Sequence, residues 1–536
     1  MVEKRSENLR SLLPWIGAGV AMGLVMALLD PMGSLFSGWL GYLVLAILGA
    51  LSLWAVSRWL DAPRAIIVAA TVAIALRLFV ALGLSWGLPR FGYPNSDPHV
   101  EGYLYIDSLH RDADAWEFAQ SGAPLSQAFT EPAESDQYGG LLFVSGLLYR
   151  TFTPDVFRPM MVATLAAMSG GFAVLFTWGF TAAAFGSRPA AFAGWAMALY
   201  PEAVLLGASQ MREPFLIALL AVALYGYARL RNGQLRSGIV TIAVAFLISL
   251  ALSPPFTVLM LAVILLALVW EGRVSRRAIL VGVAGFAILG GFALVVTLTA
   301  WQGAASVSAA QPLRLLEAWI TEGANFELYK LEQGSGWVQN LFELTPEWMH
   351  LPMASGNGLV QPFLPAALMD STSLPLPRGL GISRALGWFL LLPFLIYAPF
   401  AAVRSQGWRS LQTYLSIVVW LVIIGASYRL AGDQWDNPRA RAVFLSAQLA
   451  LAGWAWFHAR DSKSAWLLRA AILVGVATLL FIQWYAGRYY QTPRLNLLLT
   501  VAVLAVFAVI FIVGAIVWDA RRARHSARLT AEAPEV

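Results

Sequence analysis

The sequence has no cysteine, so disulfide bonds, thiol chemistry and cysteine-based zinc sites are all excluded. None of its five histidines stands at a metalloprotease spacing such as HExxH, and it contains no GxxxxGK[ST] loop for ATP hydrolysis. Charge is scarce too: 12% of the residues are charged, against about 25% in an ordinary soluble protein. A chain of soluble domains is therefore excluded.

Hydrophobic residues make up 59% of the chain. Apolar runs close to the roughly 20 residues that cross a bilayer recur along it, and they predict an all-α polytopic membrane protein with about 14 transmembrane helices. The runs are continuous rather than alternating, which excludes a closed barrel. The predicted helices start near Leu12, Trp39, Ala65, Arg158, Pro189, Arg212, Ser237, Pro255, Ala278, Ala385, Leu411, Arg441, Trp466 and Leu495.

The short loops on one predicted side of the membrane are all basic, and positive loops remain in the cytoplasm. Both termini are therefore expected inside. The abundance of Ala, Gly and Arg and the scarcity of lysine suggest a GC-rich bacterium, so the chain is expected in a bacterial cytoplasmic membrane. Arginines beside anionic lipids explain the pI of about 9.5 without a nucleic-acid partner. The loops contain Arg58/Arg64, Arg229/Arg231/Arg236, Arg273/Arg276/Arg277, Arg404/Arg409 and Arg460/Lys463.

Two long loops fall on the outer side. Both are rich in aromatic and leucine side chains, a composition that favours ordered structure over disorder. Segments 139–152 and 336–351 look amphipathic and are expected to lie flat at the outer interface. The predicted parts are two N-terminal helices (1–64), a core with the first outer loop at 88–157 (65–300), a second outer loop (301–384), C-terminal helices (385–518) and a cytoplasmic tail (519–536).

The first outer loop is rich in carboxylates: Asp97, Glu101, Asp107, Asp112, Asp114, Glu117, Glu131, Glu134 and Asp136. Within it, RDADAWEFAQSG (111–122) carries Asp112 and Asp114. One interpretation is that these acids occupy the first turn of a helix, where they favour the helix dipole. The other is that one of them takes a proton from an acceptor hydroxyl.

Several short motifs resemble the GT-C glycosyltransferases that use polyprenyl-phosphate sugars, including protein O-mannosyltransferases and the aminoarabinose transferases of lipid A. An arginine within a span (Arg77) precedes an outer loop with an Asp-x-x-x-Trp motif. YGGLLFVSGLLYRTF, AGWAMALYPEAVLLGASQMREPFLIALLAVALY (193–225) and DQWDNPRARAVFLSAQLALAGWAW continue the resemblance, which covers roughly residues 65–460.

The resemblance implies that a loop aspartate is the catalytic base, and the match falls on Asp112, with Asp114 second. It also implies an outer acidic–basic site at Glu202, Arg212 and Glu213, and an Arg-x-Arg pattern at Arg439 and Arg441. Arginine can hold two phosphate oxygens, so Arg439, Arg441 and Arg212 are expected to bind the donor phosphate. The alternative for Arg439 and Arg441 is headgroup anchoring, and for Arg212–Glu213 a local ion pair.

Three further positions are candidates for support of the site. Arg77 lies deep in its span, where it is expected either to pair with a carboxylate or to contact the floor of the site. Asp136 and Tyr138 close the first loop, where Asp136 is expected either to form an ordinary turn or to support the acceptor or a metal. Asp97, His99 and Glu101 match no metal motif, so no cofactor is predicted, although a divalent ion is conceivable.

The sequence thus predicts a membrane transferase that moves a hexose or pentose from a polyprenyl-phosphate donor to a hydroxyl of a protein, lipid or glycan. Transfer is expected at the outer face, with inversion at the anomeric carbon. An O-antigen-type polymerase or ligase is the alternative enzyme. A lipid-linked glycan transporter is a third hypothesis, and it predicts charged residues deep in several spans.

Overall fold

The computed structural model describes residues 2–30, 32–131, 133, 135–272, 284–285, 287–288, 290–292, 312–334 and 336–531. In these ranges the regular elements are all helices. Ten of the described helices are long and apolar enough to cross a membrane, or up to twelve if each of two bent pairs forms one span. The predicted class, an all-α polytopic membrane protein, is confirmed.

The first part of the chain forms α1 (Val2–Leu29), α2 (Leu35–Trp59), α3 (Arg64–Phe91), α4 (Asp97–Val100), α5 (Ile106–Gln120), α6 (Gln127–Thr130), α7 (Gly140–Phe152), α8 (Met160–Phe185), α9 (Ser187–Leu199), α10 (Pro201–Gly207), α11 (Glu213–Arg231), α12 (Leu235–Leu252) and α13 (Pro254–Trp270). Helices α4 to α7 form the first large loop. Amphipathic segment 139–152 is α7, as a helix was expected there.

After the undescribed residues come α14 (Pro312–Gly334), α15 (Gly336–Glu343), α16 (Glu347–Val360), α17 (Leu364–Met369), α18 (Pro375–Gln406), α19 (Leu411–Arg429), α20 (Asp436–Ala442), α21 (Leu445–Asp461), α22 (Trp466–Tyr489) and α23 (Leu497–Ala531). Segment 336–351 is divided between α15 and α16, because Pro346 caps a new helix. Helix α18 begins at Pro375, before the predicted start at Ala385.

The number of spans stays a prediction. The predicted helix near Ala278 and the start of the second large loop, residues 301–311, lie outside the described residues. Helix α13, predicted to start near Pro255, is apolar but has 17 residues, fewer than the ten long candidates.

Helix α8 is the centre of the bundle, and nearly all of its length is buried against α3, α9, α11 and α21. Small residues line it, including Ala163, Ala167, Gly170 and Gly171. Small side chains let helix backbones approach closely, which is how membrane helices gain packing energy without a hydrophobic driving force. This rigid centre carries the first large loop between α3 and α8.

Arg77 lies inside this packing and binds main-chain carbonyls at the break between α9 and α10. Its guanidinium donates to the carbonyls of Ala73 (2.9 Å), Ala198 (3.2 Å) and Met197 (3.2 Å). A Cβ at Gly170 would lie 2.4 Å from Arg77 Nε, so glycine leaves room for this side chain. The expected pair with a carboxylate is therefore wrong: Arg77 satisfies the last carbonyls of α9, just before Pro201 starts α10.

Two bent helix pairs shape the loop end of the bundle. Helices α9 and α10 meet at 51°, and α20 and α21 meet at 73°. Each bend frees main-chain carbonyls, and one of them, Arg441 O, accepts from Gln448 Nε2 at 2.9 Å. The short helices α10 and α20 thereby point charged residues back toward the first large loop.

Candidate functional site

Helix α5 of the first large loop starts one residue before Asp107, with Tyr105 at its N-cap. Asp107 is therefore the acid in the first turn, while Asp112 and Asp114 lie in the helix interior. The dipole interpretation, which the sequence suggested for Asp112 and Asp114, applies to Asp107 instead. The helix begins five residues earlier than that interpretation required, so the two favoured aspartates meet other surroundings.

Asp107 belongs to a group of ion pairs that we name the charged cluster: Asp107, Arg111, Glu213, Asp436 and Arg439. Arg439 is its centre, with nitrogen–oxygen distances of 3.0 Å to Asp107, 3.0 Å to Glu213 and 3.2 Å to Asp436. Arg111, one turn after Asp107 on α5, lies 3.5 Å from the same carboxylate. Three separate elements, α5 of the first large loop, α11 and α20, thus converge here.

Local capping explains how two of these residues reach the cluster. Asp433 Oδ1 accepts from the backbone N–H groups of Trp435 (2.7 Å) and Asp436 (2.5 Å), which fixes the start of α20. Glu213 is the first residue of α11, where the exposed N–H groups of the helix favour a negative charge. Its carboxylate then faces Arg439 instead of forming a local pair with Arg212, so that expectation is wrong.

Asp107 is the open carboxylate of the cluster, with 35% of its side chain exposed. Partial burial alone would raise the pKa of Asp107, but the guanidinium groups of Arg439 and Arg111 outweigh it and hold the pKa below its usual range. Asp107 is therefore ionised at neutral pH and reachable from solvent.

Arg212 extends the cluster toward the end of the first loop. Its Nη1 lies 3.7 Å from Asp136 Oδ1, longer than a hydrogen bond, and its guanidinium lies 5.3 Å from the ring centre of Tyr138. The second oxygen of Asp136 accepts from the backbone N–H of Leu142 at 2.9 Å, near the start of α7. Asp136 thus does what an ordinary turn residue does and also orients Arg212.

Glu202 forms a second, buried ion pair beside the cluster. Arg384 of α18 donates to it twice, at 2.7 Å and 3.1 Å, and lies 4.2 Å from the ring centre of Trp435. Tyr105 separates this pair from the charged cluster, with its ring edge against Trp435. Burial and the nearby Glu202 carboxylate raise the pKa of the Tyr105 hydroxyl, so it remains a neutral donor.

Arg441 does not join Arg439, although only one residue separates them in sequence. Its side chain is buried, its guanidinium lies 3.4 Å from the ring centre of Trp388, and it donates to the carbonyl of Gln361. The α20 helix turns Arg439 and Arg441 by about 200°, at roughly 100° a residue, toward opposite sides. The structure therefore does not place the two arginines side by side, and a phosphate-binding role for either stays a prediction.

Asp112 occupies a sealed pocket behind the cluster, which we name the tyrosine pocket: Asp112, Tyr103 and Tyr149. Only 1% of Asp112 is exposed. Tyr103 donates to one carboxylate oxygen at 2.7 Å, and Tyr149 donates to the other. Burial raises the pKa of Asp112 to about 7, even though the hydrogen bonds from Tyr149 and Tyr103 oppose the rise.

Asp114 points to a third place. Its carboxylate accepts a hydrogen bond from the hydroxyl of Ser135, which ties α5 to the end of the first loop. The structure therefore brings Glu213, Arg439, Arg212 and Asp136 together, and it places Asp112, Asp114 and Arg441 apart from them.

Several buried polar atoms around the charged cluster have no hydrogen-bond partner among the described residues. They are Tyr105 Oη, Asp136 Oδ1, Arg212 Nη1 and Glu213 Oε2. An orphaned buried donor or acceptor costs about 1–3 kcal/mol, so such atoms are rare and tend to mark catalytic or ligand-binding positions. Two of the four are donors and two are acceptors, and Arg212 Nη1 and Asp136 Oδ1 face each other at 3.7 Å. In the described part of the chain, no group of three His, Asp or Glu is placed to hold a metal ion.

Sequence reasoning did not single out Asp107, Arg111, Tyr105 or Arg384. The spacing of Asp107 and Arg111 is an available signal, because residues four apart lie on one face of a helix and oppositely charged ones pair. No comparable signal exists for Arg384, since its partner Glu202 is 182 positions away along the chain.

Fold and site together define a polytopic helical membrane protein with a charged site at the loop end of its bundle. No protein-family model and no curated protein matches the sequence. Among solved structures, the chain is similar to the archaeal oligosaccharyltransferase AglB from Archaeoglobus fulgidus in complex with an inhibitory peptide and a dolichol-phosphate. Sequence identity is 14% and the TM-score is 0.38, over 83% of this chain and 54% of that one.

Two further structures of the Archaeoglobus fulgidus oligosaccharyltransferase are similar to the chain. The complex with Zn and sulfate has 13% identity and a TM-score of 0.41, over 80% of this chain and 53% of that one. The apo form has 13% identity and a TM-score of 0.38, over 83% and 54%. The chain thus spans about half the length of these solved proteins.

Proposed function

We propose that this protein is a membrane glycosyltransferase that moves a sugar from a polyprenyl-phosphate donor to an acceptor hydroxyl. The observation that carries the proposal is the set of four orphaned polar atoms around Arg439, Arg212 and Asp107. A phosphate supplies acceptors for the free Tyr105 and Arg212 donors. A sugar supplies hydroxyl donors for the Glu213 and Asp136 oxygens.

Arg212 is the proposed main contact of the donor phosphate. Among the described residues its one ion pair is long, at 3.7 Å, and 19% of its side chain is exposed, so it can turn toward a new anion. Arg439 lies in the same place but is shared by three carboxylates, and its charge is largely compensated. Arg441, proposed from the resemblance, is buried against Trp388 and contributes through the supporting structure.

We assign the base to Asp107 rather than to Asp112 or Asp114, because Asp107 is exposed, ionised and beside the arginines. Its lowered pKa makes it a weak base in the free protein. A bound phosphate next to Arg439 and Arg212 offsets their positive charge, which raises the pKa of Asp107. The base therefore becomes stronger only when the donor is in place.

In the proposed step the acceptor oxygen attacks the anomeric carbon, and its proton passes to Asp107. The bond between the anomeric carbon and the phosphate oxygen breaks, and that oxygen leaves with the electron pair as polyprenyl phosphate. Arg212 and Arg439 stabilise the charge that develops on the leaving phosphate. One direct displacement inverts the anomeric carbon.

The predicted topology puts this site at the outer face of a bacterial cytoplasmic membrane, with the acceptor a protein, a lipid or a glycan. The resemblance to GT-C transferases supports the same chemistry. A transporter requires charged residues that move ions or substrate through the bundle. Arg77, the deep charge, is instead fixed on three carbonyls, which favours the transferase.

The test is transfer of radiolabelled sugar from a panel of polyprenyl-phosphate sugars to lipid, peptide and glycan acceptors in proteoliposomes. We expect one donor to be consumed by the wild type and, at donor concentrations below KM, about tenfold or more slowly by Arg212→Gln. Consumption that is equal in the two proteins would exclude Arg212 as the contact of the donor phosphate. No donor consumption by folded wild-type protein would overturn the transferase proposal.

A further inference from the structure

A long groove runs between α18, α21 and α22, and none of its lining residues belongs to the charged cluster. Its volume is about 940 Å³, at the upper end of the roughly 300–1,000 Å³ typical of ligand pockets. We name it the bilayer groove. Representative lining residues are Leu390, Phe394, Trp456, Leu468, Ala471 and Gly475.

Polar chemistry in the bilayer groove is confined to one end. Arg460 and Ser464 lie there, at the turn between α21 and α22. Farther along, the hydroxyl of Thr478 donates to the Val474 carbonyl of its own helix at 2.7 Å, so it offers no donor to a ligand. The groove therefore suits a molecule with a long apolar part and one charged end.

The charged end of the groove is basic. Arg460 and the nearby Lys463 are exposed, and the acid of the same turn, Asp461, faces Arg188 at 4.0 Å. This turn belongs to the loops that the charge distribution predicts to be cytoplasmic, where anionic lipids are concentrated. The ligand's charged end is thus expected to be an anion in the inner leaflet.

Aromatic side chains occupy the other end. Phe363 packs against Phe389, Phe481 and Tyr485, with ring centroids 5.8, 5.1 and 5.9 Å apart. This aromatic group lies just beyond Leu364, the groove residue nearest the second large loop. One of these rings, Phe389, also lines the groove.

The length of the groove identifies the class of ligand. From Leu467 to Leu479 along α22 is about 18 Å at 1.5 Å per residue. One leaflet of the bilayer core is about 15 Å thick. The groove therefore fits the chain of a lipid that spans one leaflet, and is short for a polyprenyl chain that starts at the outer face.

We propose that the bilayer groove binds an anionic glycerophospholipid of the inner leaflet, with one acyl chain against α22 and its phosphate at Arg460. This site is independent of the proposed glycosyl transfer, because none of its residues belongs to the charged cluster. A lipid held there fills the space between α21 and α22 and fixes α22 to the bundle.

Gly475→Phe is the variant that fills the groove. A Cβ at Gly475 meets no heavy atom within 4 Å, so the ring enters open space rather than the packed core. Gly514→Phe on α23 is the matched control, because a Cβ there also meets open space but the residue does not line the groove. Arg460→Glu, on an exposed turn, tests the headgroup contact without altering the core.

The measurement is native mass spectrometry of purified full-length protein, with phosphatidylglycerol or phosphatidylcholine added at equal concentration. We expect one retained phosphatidylglycerol in the wild type and in Gly514→Phe, and its loss in Gly475→Phe. Arg460→Glu should weaken retention by at least about fivefold, which is the effect of losing one basic residue at an anionic surface, and the added negative charge increases it. Thermal unfolding of each variant checks that it is folded.

Three results would overturn the proposal. They are equal retention of phosphatidylcholine, unchanged retention in both Gly475→Phe and Arg460→Glu, and displacement of phosphatidylglycerol by undecaprenyl phosphate. The last would assign the groove to the donor's polyprenyl tail. Because the readout is bound lipid and not sugar transfer, it remains valid if the proposed enzymatic function fails.

Discussion

Asp107 and Asp112 lie on the same helix of the first large loop, five residues or about 7.5 Å apart along its axis. Asp107 faces solvent and two arginines, at 3.0 Å and 3.5 Å. Asp112 faces two tyrosine hydroxyls in a pocket that leaves 1% of it exposed. One residue type on one element thus meets two different environments.

The surroundings move the two pKa values in opposite directions. Arginine charges hold the pKa of Asp107 below its usual range, while burial raises that of Asp112 to about 7. Divergent environments of this kind commonly separate the roles of two carboxylates. We infer that Asp107 serves the reaction and that Asp112 serves the fold of the loop, as a carboxyl that joins Tyr103 to Tyr149 and is about half protonated at neutral pH.

The largest expected effect is on sugar transfer by Asp107→Asn. Loss of a general base typically lowers the rate by about 10²–10⁴-fold, so kcat should fall within that range. Asp112→Asn should retain kcat to within about tenfold, since the sealed carboxylate does not reach the acceptor. The measurement is initial-rate transfer of radiolabelled sugar in proteoliposomes.

Asp114→Asn is the control for this comparison, because Asp114 bonds to Ser135 and lies outside the charged cluster. It should behave as Asp112→Asn does. A collapse of transfer in Asp112→Asn, with Asp107→Asn still active, would return the base to the residue that the sequence resemblance implied and would reverse the roles inferred here.

Asp112 should affect the pH dependence of the protein's stability, although it should have little effect on sugar transfer. Its folded-state pKa of about 7 exceeds the ordinary 3.8, so the folded protein retains a proton that the unfolded chain releases. This contribution is complete below pH 3.8 and is lost as pH rises through 7. The wild type should therefore lose stability relative to Asp112→Asn over this interval, by at most about 4 kcal/mol.

Thermal unfolding midpoints at pH 5 and pH 8 measure this difference in detergent-solubilised protein. The asparagine cannot ionise, so its midpoint should change less between the two values than that of the wild type. Parallel changes in the two proteins would mean that Asp112 does not titrate in this range, and the tyrosine pocket would then hold an ionised carboxylate.

The fold class followed from the sequence because runs of about 20 apolar residues are local and admit few alternatives in a bilayer. The contacts of the candidate site were harder to predict from the sequence. The resemblance named Glu213 and Arg439 separately, and their pairing at 3.0 Å was not predicted. The pairings of Glu202 with Arg384 and of Arg212 with Asp136 likewise join distant segments. Hydropathy carries no information about such contacts.

The sequence resemblance placed the base at Asp112, whereas we propose Asp107, and this difference has a specific cause. The spacing from aspartate to Trp116 favoured Asp112, but α5 starts at Ile106, and helix geometry then turns Asp107 and Asp112 to different faces. A difference of five residues in the start of one helix was enough to move the predicted base into a sealed pocket.

Arg212→Gln should have a smaller effect, on the donor. A hydrogen bond to a charged group is worth about 1.5–3 kcal/mol, so the KM for the polyprenyl-phosphate sugar should rise about tenfold or more. Arg212→Lys should recover part of this loss, since lysine keeps the charge but not the two-pronged contact. Steady-state kinetics with varied donor concentration give the values.

Arg90→Gln is the matched control for Arg212. Arg90 lies near the same end of the bundle, but it is exposed and donates to the Trp86 carbonyl at 2.7 Å. Its KM for the donor should equal that of the wild type. If Arg90→Gln and Arg212→Gln raise KM equally, the arginines act through general attraction of the anionic donor, and Arg212 has no specific contact.

The smallest expected effect is that of Tyr103→Phe, which removes one of the two hydrogen bonds that lower the pKa of Asp112. The pKa should therefore rise further, by about one unit, because hydrogen bonds to an ionised group favour it. The measurement is the pH at which Asp112-dependent stability is lost, found from the difference between each protein and its Asp112→Asn counterpart. Sugar transfer should change little, since the tyrosine pocket is separate from the charged cluster. Loss of transfer in Tyr103→Phe with an unchanged stability profile would instead join the pocket to the reaction and end the distinction between the two aspartates.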